Sequence, residues 1–174
     1  MAIDRLRAEA KASTLEKFRE RYGEYFLVVH IHDVATSAAD TAKAKTKTGV
    51  SGTSTTTPPP ANAPTAVFPM KKKAKSTLDW IAVGRNEAND VFLPHASISR
   101  IHAFFRDMGS TMMLQDGRSS NGTFVAGPGG ELAVPPHGEG QPMPMTPGST
   151  VRFGDVVATF LNAEGLFAIL TKLG

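Results

Sequence analysis

The feature that most constrains the fold is a series of short apolar segments, separated by Gly, Pro, Asn and Asp, that begins at Ala66 and runs almost to the end of the chain. Turn signals at intervals of about 8–12 residues are typical of short strands in two packed antiparallel sheets. The spacing therefore favours an all-β sandwich over an α/β fold. Strands are predicted near 25–31, 66–70, 79–84, 91–93, 101–106, 111–115, 123–126, 131–134, 150–153, 156–161 and 166–171.

The first twenty-odd residues predict a helix instead. Residues 3–22 are rich in Glu, Lys, Arg and Ala, which are good helix formers, and Gly23 suits the position after a helix end. Ser13 and Glu16 fit a capping box if a second helix starts there. The helix either packs on the sandwich or docks a partner. Its apolar stripe is imperfect and consists of Ile3, Leu6, Ala10, Phe18 and Tyr22.

The segment YFLVVHI at 25–31 alternates as a strand with one face in the core. His30 and His32 then share the opposite face, which is predicted to be exposed. Two histidines at this spacing could ligate a metal, but no third ligand lies nearby in the sequence, so no metal site is predicted. The inward residues are Tyr25, Leu27, Val29 and Ile31.

From residue 35 to 64 the composition changes to eight Thr and four Pro with no aromatic residue. Such a segment buries too little apolar surface to offset its ordering entropy, so we predict a disordered insertion. The chain then divides into an N-terminal helix at 1–23 and a domain at 24–174 that contains this insertion. The threonines at 36–57 are accessible to a kinase, so the insertion is either a plain linker or, once phosphorylated, an intramolecular ligand.

Three short signatures place cations, hydroxyls and an amide where predicted strands meet loops. They are Gly84-Arg85, the segment SRIH at 99–102 and the segment SSNGT at 119–123. A guanidinium offers a rigid fork of donors, serine adds a hydroxyl donor, and a Gly-bearing turn lets backbone N–H groups approach an anion. Together they predict an oxyanion site, and a phosphate is the best candidate.

The chain resembles a forkhead-associated (FHA) domain, the phosphothreonine-reading β-sandwich. The resemblance covers roughly residues 78–170 and rests on four matches in the family's order. These are VGR at 83–85, SISRIHA at 97–103, DGRSSNGTFV at 116–125 and TPGSTVRFGD at 146–155.

The resemblance implies a role for each candidate binding residue. Arg85 matches the main phosphate-binding arginine, and the Ser99 hydroxyl would donate to a phosphate oxygen. Arg100 would reach either the phosphate or acidic residues of the ligand. Ser120 would give the phosphate a polar or main-chain contact, and Asn121 would hydrogen-bond the backbone of the ligand.

Other matched residues are expected to support the site. By resemblance, His102 is a structural histidine that braces the serine loop, Gly122 takes a turn conformation, Thr123 helps to hold the loop, and Gly84 precedes the arginine. The sequence departs from the commoner pattern at Ala126, where many members have Asn, and in a long Pro- and Gly-rich segment at 127–146. Both departures bear on peptide selectivity more than on phosphate binding.

Composition argues against other classes of protein. A net charge of +3 is only mildly basic, and the single Trp lies in an apolar segment, so nucleic-acid binding is not expected. There is no apolar run of membrane-spanning length and no secretory signal, and the chain has no Cys, so a cytoplasmic protein that does not bind membranes is expected.

The sequence shows no catalytic set and no nucleotide-cradling loop, so neither an enzyme nor a cofactor is predicted. The predicted function is a phosphothreonine-peptide-binding module that acts downstream of a serine/threonine kinase. The alternative is a constitutive scaffold with the same fold that binds an unphosphorylated partner.

Overall fold

The computed structural model describes residues 1–30, 65–73 and 79–172. In this part of the chain two β-sheets pack face to face, and helices cover the outer face of one of them. The predicted all-β sandwich with an N-terminal helical segment is confirmed. The predicted insertion at 35–64, with the threonines at 36–57, lies outside the described residues.

The described elements are numbered in chain order. The helices are α1 (Ile3–Ala12), α2 (Leu15–Tyr22) and α3 (Ala163–Lys172). The strands are β1 (Tyr25–His30), β2 (Thr65–Pro69), β3 (Ile81–Gly84), β4 (Val91–Phe92), β5 (Ala103–Asp107), β6 (Met112–Asp116), β7 (Thr123–Gly127), β8 (Gly130–Ala133), β9 (Met143–Met145), β10 (Thr150–Phe153) and β11 (Val156–Asn162).

One sheet has six strands in the order β2-β1-β11-β10-β7-β8, and the other has five in the order β4-β3-β5-β6-β9. Neighbouring strands are antiparallel except β3 and β4, which are parallel. The main core lies between the sheets and includes Leu27, Val83, Phe105, Phe153 and Phe160, all buried. In β3 the residues buried in this core are Ile81 and Val83.

A second apolar cluster lies on the outer face of the six-stranded sheet. Phe26 and Val28 of β1 and Val67 of β2 are buried there beneath Leu6 and Phe18 of the N-terminal helices. Strand β1 is therefore buried on both faces, and the face predicted to be exposed is covered. His32 lies outside the described residues.

The N-terminal segment forms two helices rather than one. The break falls at Ser13, whose hydroxyl donates to the Glu9 carbonyl, and Thr14 is the residue before α2, with its hydroxyl accepting from Lys17 N–H at 3.5 Å. Gly23 ends α2 as predicted, with a left-handed φ of +102° and its N–H donating to the Arg19 carbonyl.

The strand predicted at 166–171 is wrong, because this segment belongs to α3. The apolar run LFAILT fits a strand by composition, but Ala163, Leu166 and Leu170 recur at helical spacing and are buried in the second cluster. The Asn162 side chain accepts from Gly165 N–H at 2.9 Å and caps the helix start. Among the described residues, none of the helices is both long and apolar enough to cross a membrane.

The sequence also failed to predict β9. This edge strand, Met143–Met145, has Pro144 at its centre, and it pairs with β6 through Leu114↔Met143 and Met112↔Met145. Proline cannot donate to a sheet ladder, so it is tolerated at an edge where one side of the strand has no partner strand. The Pro-rich composition of this segment is the reason that the sequence did not predict the strand.

Candidate functional site

The loops that follow β3, precede β5 and precede β7 meet at one end of the sandwich. The Arg85 N–H donates to the Ser99 carbonyl at 2.9 Å, and the Ser120 N–H donates to the Ser99 hydroxyl at 3.0 Å. The His102 N–H donates to the Val83 carbonyl at 2.8 Å. These bonds join the three sequence signatures into one surface.

A cavity of about 540 Å³ opens between these loops. Four of the five predicted binding residues, Arg85, Ser99, Arg100 and Ser120, line it together with a third arginine, Arg118. Among the described residues, the lining contains three guanidinium groups and no carboxylate, so the cavity favours an anion. The complete lining is Arg85, Asn86, Ser99, Arg100, Ile101, Arg118 and Ser120.

Ser99 is held at both its backbone and its side chain. Its N–H donates to His102 Nδ1 at 3.1 Å, and its carbonyl accepts from Arg85. Because its hydroxyl oxygen accepts from Ser120 N–H, the hydroxyl proton can donate to a ligand in the cavity. Donation by Ser99 to a phosphate oxygen stays a prediction.

Asn121 is the predicted binding residue that does not line this cavity. Its side chain is exposed, and Nδ2 donates to the Ser97 carbonyl at 2.7 Å. The bond ties the loop before β7 to the loop before β5. A contact between Asn121 and the ligand backbone stays a prediction.

His102 is fully buried and bridges two of the loops. Its Nδ1 accepts from Ser99 N–H, so the ring proton belongs on Nε2, which donates to the Gly122 carbonyl at 3.0 Å. Burial lowers the pKa of this imidazole, against smaller opposing effects of the Gly122 carbonyl and Asp116. A neutral ring in this tautomer braces the Ser99 loop.

This arrangement predicts that acid destabilises the protein through His102. In the unfolded chain the imidazole gains its proton below about pH 6.5, whereas burial delays protonation in the folded state. The unfolded state then binds more protons, so the contribution to stability is complete above this pH and decreases as the pH falls below it. For each pH unit below about 6.5, the free energy of unfolding falls by up to about 1.4 kcal/mol.

Urea unfolding of wild type and His102→Asn at pH 7.5 and 5.5 measures this contribution. All other groups are the same in both proteins, so the difference between them isolates His102. We expect the wild type to lose more of its unfolding free energy than the variant does. Equal losses would contradict the assigned protonation state.

The loop before β7 is built on a buried carboxylate that the sequence did not single out. Asp116 is 2% exposed and accepts hydrogen bonds from Ser119 N–H, Ser119 Oγ and Thr123 Oγ1 at 2.6–2.9 Å. Gly122 completes the turn with a left-handed φ of +79°, and its N–H donates to Ser119 Oγ. A signal was present, since an Asp three residues before a Ser is typical of a side-chain-stabilised turn.

Gly84 precedes the first arginine because the chain passes very close to another loop there. A Cβ at this position would lie 2.3 Å from the Arg100 carbonyl oxygen and 2.7 Å from Asn89 Nδ2. Asn89, which the sequence analysis did not identify, is buried and donates to the carbonyls of Asn86 and Arg100. This crossing sets the position of Arg85.

Arg118 is the charged cavity residue that sequence reasoning missed. It lies within the segment DGRSSNGTFV but was assigned no role. Among the described residues, it is the non-glycine residue with a positive φ, at 60°. The sequence feature that could have identified it is a third arginine that lies between two turn-forming residues.

Comparison with known proteins places these residues in a family. The sequence model of the FHA domain family matches residues 81–154 of this chain. These residues include β3, β10 and the three loops of the site. A search of the curated proteins found no match.

Several solved structures are similar to this chain. Mycobacterium tuberculosis EmbR, solved with a low affinity phosphopeptide, is 27% identical with a TM-score of 0.40, over 55% of this chain and 21% of that one. The FHA domain of the CT664 protein from Chlamydia trachomatis is 18% identical with a TM-score of 0.46, over 79% and 96% of the two chains. Full-length yeast Pml1p is 15% identical with a TM-score of 0.48, over 87% and 94%. This chain therefore spans about a fifth of the EmbR chain.

The family match and the loops of the site coincide along the sequence. Gly84, Ser99, His102 and Gly122 all lie inside the matched residues 81–154. Residues 81–154, with the three loops of the site, therefore match the FHA domain family.

Proposed function

We propose that the chain binds phosphothreonine-containing proteins at the cavity between the three loops. The proposed activity is binding and not catalysis, and it mediates a phosphorylation-dependent interaction downstream of a serine/threonine kinase. The observation that carries the proposal is the lining of the cavity, in which three arginines and a serine hydroxyl converge without a carboxylate. The match of residues 81–154 to the FHA domain model supports it.

The chemistry of the cavity fits a phosphate monoester. Such a group carries about −1.5 to −2 charges at neutral pH and three acceptor oxygens. Arg85 can contact it through two parallel N–H groups, and Ser99 can add its hydroxyl proton. If hydrogen bonds to a charged acceptor contribute roughly 1.5–3 kcal/mol each, a short phosphopeptide reaches about −8 kcal/mol after ordering costs. This free energy corresponds to a dissociation constant near ~1 μM.

Fluorescence titration with matched peptides tests the proposal. Degenerate libraries centred on phosphothreonine, phosphoserine or threonine are titrated against the same protein. We expect micromolar binding of the first, weaker binding of the second by roughly 5–100-fold for one missing methyl, and none of the third. Equal binding of the phosphorylated and plain libraries, or a cellular interaction that survives phosphatase treatment, would favour the constitutive scaffold instead.

The strand register supports the threonines at 36–57 as an intramolecular ligand. β1 ends and β2 begins with the pair His30↔Thr65, at the sheet end where Phe153 pairs with Thr123 beside the site. β1 and β7 are three strand spacings apart, about 14 Å at ~4.8 Å each. Six extended residues span up to about 20 Å, so even Thr36 can reach the site from His30.

Peptides that span 36–57 with a single phosphothreonine at each threonine in turn test this part of the proposal. If the insertion is disordered as predicted, it supplies an effective concentration of about 1 mM, so a peptide with a dissociation constant of ~10 μM would occupy the site almost completely when attached. We expect at least one of the eight peptides to bind in this range. Dissociation constants above about 10 mM for all eight would exclude intramolecular binding.

A further inference from the structure

Arg118 has a place in the cavity that a single phosphate does not explain. We propose that Arg118 binds a second anionic group of the ligand, a carboxylate or a second phosphate close to the phosphothreonine, and thereby selects acidic phosphopeptides. This inference rests on the proposed function and specifies the class of peptide that the same site prefers.

The positive charge of the cavity lining exceeds the negative charge of one phosphate group. The three guanidinium groups of Arg85, Arg100 and Arg118 contribute three positive charges to the lining, which contains no carboxylate. A phosphothreonine brings about −1.5 to −2. The lining residues themselves therefore retain at least about one positive charge that the phosphate does not neutralise, and the exposed Glu139 carboxylate beside Arg118 offsets this charge only weakly.

The cavity is also larger than a phosphate group needs. Ligand cavities of about 300–1,000 Å³ hold molecules much larger than the five heavy atoms of a phosphate group. The cavity at about 540 Å³ falls within this range. There is consequently room for a neighbouring side chain of the ligand beside the phosphate.

The backbone conformation and the hydrogen bonds of Arg118 also fit a role in binding an anion. Its backbone adopts φ +60°, a left-handed conformation that is costly for a residue other than glycine and is found at functional sites more often than elsewhere. Its Nε–H donates to the His137 carbonyl at 3.2 Å, and the residue lines the cavity. The other four N–H groups have no hydrogen bond to the described residues, so they can receive an anion.

Glu139 already stands beside Arg118 as an internal anion. Its Oε1 lies 3.6 Å from an Arg118 terminal nitrogen, and the two side chains are 65% and 59% exposed. An exposed pair at this distance is weak and is easily exchanged. Glu139 therefore competes with an anion of the ligand, and both His137 and Glu139 come from the long segment at 127–146 in which this chain departs from the commoner family pattern.

The test compares phosphothreonine peptides that differ in one neighbouring residue. Each of the three positions on either side of the phosphothreonine carries Gln, Glu or phosphoserine in turn, and all peptides are titrated against the wild type. At one or more positions we expect Glu to bind about 5–10-fold more tightly than Gln. The phosphoserine arm shows whether a second phosphate is preferred to a carboxylate.

Two variants connect that preference to Arg118. Arg118→Asn removes the guanidinium with a residue that tolerates a positive φ. We expect the Glu-to-Gln ratio to fall to about one, because the Glu peptide loses more affinity than the Gln peptide, which meets Arg118 only through the overall charge of the cavity. Glu139→Gln removes the competitor, and we expect Glu peptides to bind about 2–3-fold more tightly. A thermal midpoint equal to that of wild type shows that Arg118→Asn is folded.

The outcomes separate this inference from the proposed function. If phosphothreonine peptides bind but the wild type does not distinguish Glu from Gln, or if Arg118→Asn keeps the ratio, the role of Arg118 is wrong and the phosphothreonine site stands. If no phosphothreonine peptide binds the wild type, both proposals are wrong.

Discussion

Replacing Arg85 by alanine is expected to weaken phosphothreonine-peptide binding by about 100-fold. Two charge-assisted hydrogen bonds contribute roughly 3 kcal/mol together, and about 1.4 kcal/mol corresponds to each factor of ten. The side chain is exposed, and the backbone N–H that bonds the Ser99 carbonyl remains in the variant. The loss should therefore appear in affinity, measured by titration with a single phosphothreonine peptide, and not in stability.

Arg85→Lys is the matched control for this prediction. Lysine keeps the positive charge but replaces the planar fork by a point charge. We expect an intermediate loss of roughly 10-fold, because charge attraction survives while the paired geometry does not. Binding by Arg85→Ala within threefold of wild type, with a thermal midpoint unchanged, would show that the phosphate does not contact this residue.

Residues of the site that lie in short contiguous motifs were predictable from the sequence. Gly84-Arg85 and Ser99 each lie where an apolar segment meets a loop, and local composition identifies such junctions. Arg118 was not predictable in the same way. Its position at the cavity depends on a left-handed backbone and on contacts with His137 and Glu139, about twenty residues later in the chain.

The elements that were missed depend on long-range packing. The run at 166–171 fits a strand by composition, and it is helical because Leu166 and Leu170 bury against Leu6 and Phe18 from the other end of the chain. The same helical layer buries the second face of β1, so Phe26 and Val28 are core residues on a face that alternation marked as exposed. A periodic pattern identifies a face but does not show what covers it.

The largest effect on stability is expected at Asp116. Its carboxylate accepts the Ser119 N–H, the Ser119 hydroxyl and the Thr123 hydroxyl in a site that is 2% exposed. Asp116→Ala leaves these three donors without their acceptor, at about 1–3 kcal/mol for each buried group. We expect the free energy of unfolding to fall by about 3–5 kcal/mol, which is a large share of the ~5–15 kcal/mol typical of a domain.

Urea unfolding of three variants distinguishes loss of the buried network from loss of one contact. Thr123→Val keeps the side-chain shape and removes one donor together with its need for an acceptor, so it should cost only about 1 kcal/mol. Asp116→Asn keeps the side-chain shape and one acceptor oxygen. Its loss of unfolding free energy should therefore lie between the losses of Asp116→Ala and Thr123→Val. A cost below about 1 kcal/mol for Asp116→Ala would mean that water replaces the carboxylate freely. If the cost is large, the variant should also lose phosphopeptide affinity, because Ser120 N–H reaches the Ser99 hydroxyl from the loop that Asp116 holds.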